Sequence, residues 1–89
     1  MTQVKRLVLD VLKPHRPDGL VFTRSIAEQG GNCRVIYSVE EVDEKTESIT
    51  VVIEGEDIQF ERIAGAIEAA GASVHSIDEV EVFHEAGGE

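Results

Sequence analysis

The feature that most limits the fold of this chain is its hydrophobic period, which switches between two and about 3.6 residues and back, twice over. Leu7, Leu9 and Val11 alternate with Arg6, Val8 and Asp10. A period of two in β-branched and aliphatic residues reads as a strand with one buried face. Pro14 and Pro17 follow, and neither can donate to a sheet ladder, so the strand is expected to stop there. Asp18 is placed to cap a helix reaching to about Gln29, with Phe22, Ile26 and Val21 on its buried stripe and Gly30-Gly31 at its end. Cys33, Val35, Tyr37 and Val39 then alternate with Arg34, Ile36, Ser38 and Glu40. Val42 breaks that alternation, which predicts a bulge after Glu40. The polar run Asp43-Glu44-Lys45-Thr46 leads into a third alternating stretch, with Ile49, Val51 and Ile53 against Thr50, Val52 and Glu54. Two strands so joined predict a hairpin. Asp57 is expected to cap a second helix carrying Phe60, Ile63, Ala64, Ile67 and Ala70, closed by Gly71. A last strand is expected from about Ser73 to Phe83.

The order is βαββαβ, two split β-α-β halves. Right-handed crossovers place the first and third strands in the centre of an antiparallel sheet of order 4-1-3-2, with both helices on one face. This is an α+β, ferredoxin-like plait, named for its architecture. The chain is expected to form a single domain over residues 1–89, ordered over about 3–83 and fraying over 84–89. The plait hosts many unrelated functions, so chemistry must be argued from particular residues.

Charge removes several classes. Eighteen acids against eight bases give a formal net charge of −10, spread along the chain. Binding nucleic acid requires clustered Lys and Arg to neutralise phosphate, and anionic membranes make the same demand. A single cysteine, Cys33, excludes an intramolecular disulfide and any Cys-rich zinc or iron–sulfur site. No apolar run approaches a membrane span, and Met1 to Asp10 is too charged for a signal peptide. A cytoplasmic protein is expected.

The known uses of the plait leave signatures that are mostly missing. An RNA-recognition sheet needs aromatic rings on the exposed faces of its central strands, where this chain has Arg6, Val8, Asp10, Thr50, Val52 and Glu54. A metallochaperone needs a Cys-x-x-Cys pair in the first loop, which has no cysteine. An acylphosphatase-like site needs a Gly-rich phosphate loop; Arg16 and Arg24 are present without one. An amino-acid-sensing module is a looser match, with Asp10 followed by Pro14, Pro17, Asp18, Gly19 and Leu20.

The candidate ligands are Asp10, His15, His75 and Asp78. Asp10 lies late in a central strand on the face away from the helices, either as a solvated acid or as a ligand to a hard cation. His15 ends the first strand and His75 begins the fourth. These strands run antiparallel side by side, so the two imidazoles are expected to approach, with Ser76 in reach. Each is read either as a surface residue or as a ligand to a borderline transition metal. Strict alternation, however, puts His75 and Asp78 on opposite faces unless a bulge intervenes. Asp78, Glu79 and Glu81 also read as charges that protect an edge strand. Glu40, Glu41 and Asp43 form an acidic rim without the spacing of an EF-hand. Cys33 is read as a small core or interface residue, since Arg34 alone is poor activation for a thiol. Val8, Leu12, Ile36 and Val52 place four aliphatic side chains on the sheet face that the helices leave bare. A monomer seldom leaves such a patch exposed, so oligomerisation is expected.

Leu9-Asp10-Val11-Leu12-Lys13-Pro14-His15, Val42-Asp43-Glu44-Lys45-Thr46-Glu47 and Ser73-Val74-His75-Ser76-Ile77-Asp78-Glu79-Val80 together resemble an archaeal family known as domain-of-unknown-function family 211. The resemblance spans about Val4 to Val82. It implies a ferredoxin-like subunit that assembles into a closed ring of identical copies, with no established activity and no catalytic residues to carry over. The expectation is therefore a non-enzymatic, ring-forming homo-oligomer that binds a divalent cation (calcium, magnesium or zinc) or a small polar ligand near subunit interfaces. The alternative is a regulatory module that senses an amino acid or similar metabolite through the Pro14–Gly19 loop.

Overall fold

In the computed structural model, which describes residues 1–87, the elements follow in the expected order. They are β1 (Thr2–Pro14), α1 (Gly19–Gln29), β2 (Cys33–Val42), β3 (Thr46–Gly55), α2 (Phe60–Ala69) and β4 (Ser73–His84). The strands form one antiparallel sheet in the order β2-β3-β1-β4, which is the ferredoxin-like plait. Leu7, Leu9 and Val11 of β1 and Ile49, Val51 and Ile53 of β3 are buried against Phe22 and Ile26 of α1 and Ile63, Ala66 and Ile67 of α2. Each such aliphatic or aromatic side chain contributes roughly 1.5–3 kcal/mol on burial. The helices therefore cover one face of the sheet, and the other face stays open. β4 runs one residue past Phe83, His84 pairing with Thr2. Of the tail expected to fray, Gly88 and Glu89 lie outside the described residues.

Two helix expectations need correction. Asp18 does cap α1, its Oδ1 accepting from the Val21 amide at 2.9 Å, but Val21 itself is 52% exposed. One residue before Phe22, it is turned about 100° away from the buried stripe. The N-cap of α2 is Gln59, with no side-chain cap, rather than Asp57. The chain is not yet helical at Ile58, whose amide donates to the Val4 carbonyl at 2.9 Å and whose side chain enters the core. Only then does the helix begin, so Ala66 joins Ile63 and Ile67 in burial while Ala64 is half-buried.

The register between strands shifts at four places, one of them at Lys5 of β1, between the Val4–Val82 and Arg6–Glu81 pairs. Val39 pairs with Ile49 and Glu41 with Ser48, which leaves Glu40 as the extra residue the sequence predicts. Leu9 pairs with Ile77 but Val8 with Glu79, and Val11 with Val74 but Asp10 with Ser76. Asp78 and His75 are thus extra residues in two bulges of β4. Directly paired residues share a face, so Val74, Ile77 and Val80, opposite Val11, Leu9 and Leu7, all lie on the helix side.

Candidate functional site

The open face is built of rows that cross all four strands. One row is Ile36, Val52, Val8 and Glu79, each residue paired with the next. On one side of it lie Arg34, Glu54, Arg6 and Glu81, and on the other Ser38, Thr50, Asp10 and Ser76. A fourth row carries Glu41, Ser48, Leu12 and Ser73. The aliphatic strip is therefore three residues wide, with Leu12 separated from it by the polar row. The charged row is tied together: Arg34 and Arg6 both pair with Glu54, and Arg6 Nε donates to Glu79 Oε2 at 2.8 Å. Arg34 first, then Arg6, holds the Glu54 carboxyl below the ordinary carboxylate range.

Asp10 and His75 meet on this face. With Val11, Leu12 and Ser48 they line a hollow of about 220 Å³ that spans β3, β1 and β4. The bulge at His75 makes the meeting possible, because the extra residue turns its side chain to the face that Ser76 and Asp10 occupy. Ser76 Oγ donates to Asp78 Oδ1 at 2.7 Å, so the second bulge keeps Asp78 on that face as well. The bulges remove the parity obstacle between His75 and Asp78, yet Asp78 is held by Ser76 and does not line the hollow.

His15 does not join them. It sits against the β2–β3 hairpin, on the far side of β1 from β4. Nδ1 is 3.2 Å from Glu47 Oε2, and Nε2 is 3.0 Å from the carbonyl oxygens of both Asp43 and Glu44. Every neighbour of the ring nitrogens is an acceptor, so the doubly protonated ring satisfies them best. Glu47 first, then the Glu44 carbonyl, raises the His15 pKa above its ordinary value. These contacts hold His15 at the hairpin, and it is not among the residues that line the hollow of Asp10 and His75.

Glu47 is the hub of a cluster that sequence reading overlooked. Its Oε1 accepts from the Tyr37 hydroxyl at 2.8 Å and lies 3.5 Å from Lys13 Nζ. The Lys13 side chain is fully buried, donates to the Pro14 carbonyl at 2.9 Å, and has its ammonium 5.8 Å from the Phe22 ring centroid. Tyr37 and then His15 hold the Glu47 carboxyl low, while burial, and then Glu47, pushes the Tyr37 hydroxyl up to about 12. Strand parity was the available signal, since Lys13 continues the inward series Leu7, Leu9, Val11.

Chemically the open face offers a carboxylate, an imidazole and hydroxyls around a shallow hollow. Among the described residues no group of three or more His, Cys, Asp and Glu side chains is gathered as a metal centre within the chain. Glu40 of the acidic rim accepts from Thr50 Oγ1 at 3.0 Å. Cys33 is half-buried, its thiol donates to the Ala27 carbonyl at 3.8 Å, and burial raises its pKa, the opposite of an activated nucleophile. Neither helix is long and apolar enough to cross a membrane.

Fold and surface together define a small α+β plait protein with a sheet face that the helices leave uncovered and that carries acids and the His75 imidazole. The chain belongs to domain-of-unknown-function family 211, described as uncharacterized ArCR, which matches residues 5–85. It is 39% identical over 80 residues to an uncharacterized protein of Methanocaldococcus jannaschii, a match covering 90% of this chain and 82% of that protein. This archaeal family has no assigned activity.

Proposed function

We propose that this chain is a non-enzymatic, cytoplasmic subunit that assembles with copies of itself into a ring and holds a divalent cation or small polar ligand near the subunit boundary. The observation that carries this reading is the bare sheet face, where the Ile36–Val52–Val8 strip runs toward an edge strand whose bulges turn His75 and Asp78 to the side of Asp10. Ile36 is 44% exposed and Val8 and Val52 are half-buried, and an apolar strip that no helix covers on a chain of 9.7 kDa favours a partner surface. The Asp10–His75 hollow reaches the edge strand β4 through His75, where a neighbour can complete a ligand shell that one chain leaves partial. His15 contributes to the hairpin rather than to this site. Native mass spectrometry and calorimetric titration with calcium, magnesium and zinc test the reading. An assembled species with a heat of binding is expected, and a lone chain with no heat would overturn it.

A second reading has one observation in its favour. The Pro14–Gly19 loop borders a hollow of about 600 Å³ lined by His15, Arg16, Pro17, Asp18 and Val21, large enough for an amino acid or similar metabolite. It requires that such metabolites, rather than cations, raise the melting temperature.

A further inference from the structure

The two edges of the sheet are complementary to one another. β2 and β4 each have a neighbour on one side only, and the outer groups of an edge strand are a template for another chain. β1 runs opposite to both β3 and β4, and β3 opposite to β2. It follows that β2 and β4 run opposite to each other, so β2 of one copy can continue the antiparallel sheet beside β4 of the next. Neither edge strand carries an extra residue from Cys33 to Val39 on β2 or from Glu79 to His84 on β4; the register shift opposite Glu81 and Val82 belongs to β1, where Lys5 is the extra residue. Both carry apolar side chains on the helix side, left open on β4 and partly covered at the rim of the core on β2. Val80 and Val82 are 53% and 52% exposed, and Cys33 and Val35 are half-buried.

Charge fixes the register. Across one chain the row Arg34, Glu54, Arg6, Glu81 alternates in sign. Arg34 begins it on one edge with its side chain 73% exposed. Glu81 ends it on the other, with no ion pair among the described residues, whereas Glu79 already binds Arg6. We propose that β4 takes the outer edge of β2 of a second copy, antiparallel, with Glu81 opposite the partner's Arg34. The alternation then continues from copy to copy. The same register sets Val80 opposite the partner's Val35 and Val82 opposite the partner's Cys33, apolar on apolar on the helix side. A slip of one residue puts helix-side residues against open-face ones. Because the two edges differ, the contact is heterologous, and it builds a ring where the rotation from copy to copy closes and an open filament where it does not. The bulges at Glu40 and Asp78 end the pairable stretch, which leaves the Asp10–His75 hollow just beyond the seam.

This inference rests on the self-assembly reading, and a charge-exchange experiment separates the two. Wild type, Arg34→Glu, Glu81→Arg and the double variant are compared by native mass spectrometry and light scattering, with circular dichroism reporting the fold. Like charges placed directly opposite at every seam oppose assembly. Each single variant is therefore expected to need a concentration at least about tenfold higher for half-assembly. Mixing the two single variants restores assembly, since each supplies the charge the other lacks, and the double variant assembles alone. Assembled wild type whose mass is indifferent to both reversals, or singles that mixing does not rescue, would overturn the register and leave self-assembly standing. Wild type that stays a single chain would overturn both.

Discussion

Lys13 and Glu47 sit directly opposite each other on β1 and β3, with Lys13 Nζ 3.5 Å from Glu47 Oε1 and the lysine side chain withdrawn completely from solvent. An ammonium in that position depends on its counter-charge, because removing one partner leaves the other desolvated and unpaired. Glu47→Gln is expected to cost about 2 kcal/mol in urea unfolding. This is less than the roughly 3–5 kcal/mol of a wholly enclosed pair, since the Glu47 side chain keeps 18% of its exposure. Lys13→Met removes charge and need together and is expected to change stability by less than about 1 kcal/mol. A larger loss for Lys13→Met than for Glu47→Gln would contradict the reading of Glu47 as the counter-charge of the buried Lys13.

The clasp between His15 and the hairpin gives stability a pH window. The folded protein raises the His15 pKa, so its contribution is complete below the ordinary imidazole value of 6.5 and fades as pH climbs through the raised value. Glu47 is lowered, so its contribution is complete above the ordinary carboxylate value of 4.5 and fades as pH falls through the lowered one. Both operate between about 4.5 and 6.5. The melting-temperature difference between wild type and His15→Ala is expected to be greatest there and to shrink on either side. A difference that is flat with pH would show that His15 acts by packing alone.

The strands were legible because alternation is a local property of the chain. Leu7, Leu9 and Val11, and Ile49, Val51 and Ile53, point inward as their period requires. The bulge at Glu40 could be read because Val42 falls out of step. The two bulges of β4 were harder, since whether a residue is extra depends on the strand beside it. Their trace was present in Val74, Ile77 and Val80, spaced by three inside a strand. The path of His15 was beyond local reading, because the hairpin that captures it lies about 30 residues away in sequence. Asp10 and His75 could be placed on neighbouring strands from topology, but their common face required the register.

Glycines divide sharply by what surrounds them. A side chain at Gly55 would put its Cβ 2.4 Å from the Asn32 carbonyl oxygen and 3.1 Å from Cys33 Cα. Neither backbone atom can yield without parting β2 from β3 where they begin to pair. At Gly65, inside α2, nothing lies within 4 Å, and the only effect of a methyl group is on helix propensity. Gly55→Ala is expected to destabilise by about 1–3 kcal/mol, and Gly65→Ala to stabilise by about 0.5–1 kcal/mol. Thermal and urea unfolding measure both, and the opposite order would mean that β2 and β3 do not close at Gly55 as described.

The Asp10–His75 hollow makes a separable prediction about cations. Calcium and magnesium take oxygen ligands, whereas zinc accepts imidazole nitrogen. Asp10 supplies the first kind of donor and His75 the second, on one wall of one hollow. If the site takes a hard cation, Asp10→Asn abolishes the heat of calcium or magnesium binding and His75→Ala leaves most of it. If it takes zinc, either substitution weakens binding by about tenfold or more. Glu61→Gln, on the first turn of α2, serves as a carboxylate control on the opposite side of the sheet and is expected to change neither. Equal losses for Glu61→Gln and Asp10→Asn would mean that the cations respond to the net charge of −10 and not to a site. The titrations belong at two salt concentrations, because diffuse attraction to an acidic surface falls steeply with ionic strength while coordination within the hollow does not.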